Sequence, residues 1–97
     1  MDRQKIEGYL NIAKKAGYLL IGGDNIENAI LHNRKIYLVL YEPSIQTNSL
    51  KIIRKAEERS ILTKSLEGIS NYIKIKNCKI IALKNKNLSD IIYNIID

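Results

Sequence analysis

The run Ile36-Tyr37-Leu38-Val39-Leu40-Tyr41 carries six consecutive apolar or aromatic residues. A strand without polar positions has two faces to bury, so it belongs inside a sheet that is covered on both sides. Cover of that kind comes from helices, and the rest of the chain has to supply them.

Periodicity locates the cover. Between Gln4 and Ala16 the apolar residues Ile6, Tyr9, Leu10, Ala13 and Ala16 fall at helical spacing, with Lys5, Lys14 and Lys15 off that face. Gly17 stands where a helix ends most easily, because glycine enters the left-handed conformation without a steric penalty. Tyr18 to Ile21 then reads as a short buried strand, stopped by Gly22-Gly23. Asp24 followed by Glu27 has the spacing of a capping box, opening a helix with Ile26, Ala29 and Ile30 inward and its end near Asn33. Pro43 breaks the central strand. Thr47 or Asn48 is positioned to cap the next helix, with Leu50, Ile52, Ile53 and Ala56 inward and Arg59 and Ser60 at its end. Ile61-Leu62-Thr63 reads as an edge strand, and Ser65 opens a short helix through Leu66, Ile69, Tyr72 and Ile73. Lys79 to Leu83 repeats the apolar strand pattern, and Asn87 caps a last helix carrying Leu88, Ile91, Ile92, Ile95 and Ile96. The expectation is a single domain over residues 1–97: a three-layer α/β/α sandwich with a four-stranded mixed sheet.

Composition narrows the function. No apolar stretch approaches the roughly 18–20 residues of a membrane span, and Met1-Asp2-Arg3-Gln4-Lys5 leads into an amphipathic segment rather than the apolar block of a signal peptide. A cytoplasmic protein without membrane attachment is expected. One cysteine, Cys78, and one histidine, His32, cannot make an internal disulfide or a four-ligand Cys/His zinc site, so no metal or cofactor is expected. Sixteen basic residues against ten acidic ones give a net charge of +6 and a pI near 9.5, favouring a polyanionic partner such as nucleic acid. The Ile-, Lys- and Asn-rich composition of an AT-rich coding sequence contributes to the same surplus of lysine.

Catalysis has little to stand on. His32 falls at a helix end with no second histidine, Cys78 reads as a bystander thiol, and Glu57-Glu58 are adjacent positions about 100° apart on a helix, which sets them on a solvated face. Gly22-Gly23 between a strand and a helix is more informative, because glycines there let a phosphate approach backbone amides at the positive end of a helix dipole. The surrounding residues match neither the dinucleotide fingerprint nor the nucleoside-triphosphate loop. Docking of a nucleic-acid backbone, helped by Lys14, Lys15, Arg34 and Lys35, stands against a plain structural turn.

Leu10-Asn11-Ile12-Ala13-Lys14-Lys15-Ala16-Gly17-Tyr18-Leu19-Leu20-Ile21-Gly22 resembles the opening of the bacterial YlxQ-type branch of the ribosomal L-seven-Ae family, Leu-x-x-Ala-x-Lys/Arg-Ala-Gly-x-Leu-x-x-Gly. The likeness continues through Ala29-Ile30, Tyr37 to Leu40, Ala56-Glu57 and Lys79 to Leu83, covering about Lys5 to Ile96. It implies an L-thirty-e-like fold and binding to structured, kink-turn-like ribosomal or other noncoding RNA, with the ribosome as an implied place of association. In that family the RNA face corresponds to Gly22 through Asn28 together with an apolar loop over about Lys74 to Cys78. It implies roles for Gly22, Gly23, Asp24, Asn25 and Asn28 at the bent RNA, and for Ile75 and Lys76 on the far side. Kink-turn binders show Gly-x-Asn-Glu-x-x-Lys where this chain has Gly22-Gly23-Asp24-Asn25-Ile26-Glu27-Asn28, keeping the glycine but neither the Asn-Glu pair nor the lysine. A non-enzymatic RNA-binding protein is therefore the leading expectation. The alternative is a protein-interaction module of the same fold, with incidental basic charge.

Overall fold

The computed structural model describes residues 2–96. Five helices alternate with four strands: α1 (Arg3–Lys15), β1 (Leu19–Ile21), α2 (Gly23–Leu31), β2 (Leu38–Tyr41), α3 (Thr47–Glu58), β3 (Leu62–Ser65), α4 (Ile69–Ile73), β4 (Ile80–Leu83) and α5 (Lys86–Ile95). The strands lie in the order β1-β4-β2-β3. β4 is antiparallel to β1 and to β2, and β3 is parallel to β2. The fully apolar run is central, as its composition requires: Leu38, Val39 and Leu40 are inaccessible to solvent. β4 is buried at all four positions, whereas β3 forms an edge with Leu62 exposed.

Two separate cores make the three layers. Alternate strand residues Leu38, Leu40, Ile81 and Leu83 pack against Ile6, Leu10 and Ala13 of α1, Ile69 and Ile73 of α4, and Ile92 of α5. Val39, Ile80 and Ala82 face the other way, against Ile26, Ala29 and Ile30 of α2 and Ile52, Ile53 and Ala56 of α3. The period of two along a strand and of 3.6 along a helix account for both sets.

Helix starts depart from the sequence expectation, and the reasons are local. Asp24 does not cap α2. Gly22, at φ 90° and ψ 152°, makes the turn itself, so the helix begins at Gly23 and Asp24 is already in its first turn. A capping side chain needs a non-helical backbone, which Asp24 lacks. The N-cap of α3 is Gln46, with Thr47 and Asn48 inside the helix. That of α5 is Asn85, whose side chain accepts from the Leu88 amide at 2.9 Å, while Asn87 is helical. Ser65 ends β3 and does not open α4, whose first amides are satisfied from a distance: the Glu42 carboxylate accepts from Gly68 N at 2.6 Å and Ile69 N at 2.7 Å.

Three apolar residues assigned inward are exposed: Ala16, which is the C-cap of α1 beyond its last turn, and Leu50 and Ile91, 38% and 39% exposed. At 100° per residue Leu50 lies roughly 110° from the middle of the arc made by Ile52, Ile53 and Ala56, beyond the buried stripe. In α5 the buried arc is Ser89 and Ile92, continued by Ile96 after the helix, which leaves Ile91 outside. The buried Ser89 hydroxyl donates to the Asn85 carbonyl at 2.7 Å, so it carries no desolvation penalty.

Candidate nucleic-acid interface

β1 and β2 sit on either side of β4 and both run against it, so both end at the same edge of the sheet. Their following helices, α2 and α3, pack on the same face and begin side by side at that edge. β4 begins there too, fed by the loop from Lys74 to Lys79. This is the carboxyl end of the parallel strands, where open α/β sheets leave a crevice.

A groove of about 530 Å³ lies at the edge, lined by Gly22 and Gly23, by Gln46, Asn48 and Ser49, and by Ile75 through Lys79. It continues into a depression of about 470 Å³ that adds Asp24, Asn25 and Glu27. Neither α2 nor α3 has a side-chain cap at its N-terminus. First-turn amides have no acceptor within their own helix, so two sets of donors and two partial positive charges border one groove. Lys76 and Lys79 add full charges on the opposite wall, whereas Asp24 opposes them from the first turn of α2. Glu27 is occupied by Lys55, 3.0 Å away.

The far wall is built to keep an irregular shape. Lys74 and Asn77 both hold positive φ, 59° and 62°. Ser70 in α4 pins the loop, its hydroxyl donating to the Cys78 carbonyl at 2.9 Å while its carbonyl accepts from Ile75 N at 3.2 Å. Ile75 packs part of its surface on the core beneath α1 and α4 and turns the rest to the groove.

Gly22, Gly23, Asp24, Asn25, Ile75 and Lys76 are thus brought together although some 50 residues separate the two segments. The amide of Asn25 donates to the Ile21 carbonyl at 2.9 Å, which ties it to the end of β1. Asn28 is exposed one turn further along α2 and does not line the groove. The basic residues expected to flank this RNA are distributed differently. Lys14 donates from Nζ to the Ile73 carbonyl at 2.8 Å, satisfying the end of α4. Lys15, Arg34 and Lys35 lie at the other edge of the sheet, because α1 hands over to β1, and α2 to β2, where those strands begin. Sequence reasoning did not place Gln46, Asn48 and Ser49 at the site. The helix start after Pro43 was visible, but its position beside α2 follows from strand order.

Cys78 is buried beneath the groove, and burial pushes its thiol pKa up, opposed by hydrogen bonding with the backbone at Ile80 and Gly22 and reinforced by the charge of Glu42. A thiol in that state is a poor nucleophile. His32 is the C-cap of α2, exposed, with Nδ1 donating to the Asn28 carbonyl at 2.8 Å. Glu57 and Glu58 are both exposed. Among the described residues no group of three or more His, Cys, Asp or Glu is placed to hold a metal ion, and no helix is long and apolar enough to cross a membrane.

No family model matches the chain, and no curated protein matches it. A solved structure described as a protein with unknown function from Bacillus halodurans C is similar to it, with a TM-score of 0.85 and 21% identity over 96% of this chain and 97% of that one. Similarity at that level shows that the two chains share a fold.

Proposed function

We propose that this protein binds structured RNA, without catalysis, seating a bent, kink-turn-like segment in the groove between α2, α3 and the Lys74–Lys79 loop. The carrying observation is the convergence of two uncapped helix starts with an apolar, lysine-bearing loop on one groove. Backbone amides at Gly23 and Asp24 suit a phosphate that bends sharply past the helix start. Asn25, Asn48 and Ser49 carry donors and acceptors for exposed base edges, and the free surface of Ile75 offers a splayed base an apolar contact. The resemblance of Leu10 through Gly22 to the L-seven-Ae family supports the same reading and suggests ribosomal or other noncoding RNA as the partner.

Fluorescence anisotropy of a labelled kink-turn RNA against a straight duplex of equal length, each at two salt concentrations, tests this. The bent RNA is expected to bind more tightly at both salts, and Lys76→Ala to weaken both RNAs and flatten the salt slope by about one. Equal binding to both shapes that disappears with salt would refute shape recognition in the groove and favour a protein-interaction role for the fold.

A further inference from the structure

Charge is segregated between the two edges of the sheet. Three connections meet at the edge where β1, β2 and β3 begin, and β4 ends there. Counted from the last or first residue of each flanking helix, the segments 15–18, 31–37, 58–61 and 84–86 carry Lys15, Arg34, Lys35, Arg59, Lys84 and Lys86 against one acid, Glu58. The corresponding segments at the groove edge, 22–24, 42–47, 65–68 and 74–79, carry Lys74, Lys76 and Lys79 against Asp24, Glu42 and Glu67. Six basic residues and one acidic at one edge, against three and three at the other, place most of the surplus of +6 on the edge away from the groove.

We infer that this basic edge is a second RNA-contacting surface, which takes a stretch of phosphate backbone separate from the RNA in the groove. All six basic side chains are exposed, and among the described residues none is paired with a carboxylate. The nearest acids in sequence, Glu57 and Glu58, close the last turn of α3, and Glu57 accepts from the Thr63 hydroxyl at 3.4 Å. Arg59 is held in place, its guanidinium donating to the Ile30 carbonyl and to Asn33 Oδ1. Together with Arg34, Lys35 and Tyr37 it lines a depression of about 420 Å³. Tyr18, 38% exposed, stands beside Lys84, whose amide donates to the Tyr18 carbonyl at 2.8 Å. Aromatic rings interleaved with cations suit a single strand, in which bases stack while phosphates are neutralised. The two edges lie at opposite ends of the strands, one strand length apart, about 13 Å for four residues, so the basic edge does not share the groove's lining.

The test uses a labelled uridine oligomer together with the unlabelled bent RNA. The oligomer is expected to bind the free protein and the protein saturated with bent RNA alike. Arg34→Ala/Lys35→Ala is expected to weaken oligomer binding at least tenfold and to reduce its salt slope by about 1.4, at about 0.7 per lost phosphate contact on a single strand. Lys84→Ala/Lys86→Ala, on a different connection, should do the same, and neither should change the preference for bent over straight RNA. Displacement of the oligomer by bent RNA, wild-type oligomer binding in both variants, or binding to anionic vesicles in place of the oligomer would overturn the inference. The oligomer titration alone reports on this edge, so failure of the bent RNA to bind would count against the groove and leave the basic edge standing.

Discussion

Gly22→Ala separates backbone strain from crowding at the groove. Gly22 holds φ 90° and ψ 152°, and a Cβ built there meets no atom within 4 Å. The whole native-state cost is therefore conformational, about 1–3 kcal/mol for a side chain forced into this glycine-only region. Alanine also restricts the unfolded chain, returning about 0.4–1 kcal/mol. The net loss is about 1–2 kcal/mol, a fall in melting temperature of roughly 5–15 °C for a chain of this size. Urea unfolding followed by circular dichroism reads it, with the wild-type slope retained. D-alanine at the same position is the decisive control. Its mirror-image preference maps these angles onto φ −90° and ψ −152°, at the margin of the extended region and away from the glycine-only one, so it should cost clearly less than L-alanine. An L-alanine variant within about 0.5 kcal/mol of the wild type, or a D-alanine variant equally destabilised, would refute the argument from strain. Gly23→Ala is a contrasting case, because its Cβ would lie 2.8 Å from Ile52 Cδ1 and the cost would come from displacing a buried side chain.

Three further outcomes are expected. Glu42→Ala removes the acceptor shared by the Gly68 and Ile69 amides and should cost about 1.5–3 kcal/mol in urea unfolding, with Glu42→Gln recovering part of the loss; faster hydrogen exchange at those two amides locates the effect. Gly8→Ala in α1, where a Cβ meets nothing within 4 Å, should stabilise the protein by about 0.5–1 kcal/mol in the same assay. Cys78 should react with iodoacetamide far more slowly in the folded protein than in urea at pH 8, because burial both shields the thiol and raises its pKa from 9.0. Between the unfolded and folded pKa values the unfolded state gives up the proton first, so this group's contribution to stability falls as pH rises above about 9.

Much of the fold was legible because it depends on patterns carried by consecutive residues. The order of nine elements, the burial of Leu38 to Leu40 and the inward stripes at Ile26-Ala29-Ile30 and Ile52-Ile53-Ala56 follow from periodicity and from the need to cover an apolar strand. Where local rules misplace an element start, the true partner is elsewhere or the turn has another cause. Gly22 takes over the turn assigned to Asp24, and α4 opens on Glu42, 26 residues before Gly68.

The candidate site divides along the same line. Gly22-Gly23 marked a turn between strand and helix in the sequence itself, and Gly22 does hold the positive φ that strains any side chain. That this turn faces Gln46, Ser49 and Ile75, and that Arg34 and Lys35 are carried to the opposite edge, was decided by strand order. β1 and β2 flanking an antiparallel β4 bring two helix starts to one edge and collect lysines and arginines at the other. Periodicity is written residue by residue along the chain, whereas strand order is settled by which faces pack together, and only the folded chain brings those faces into contact.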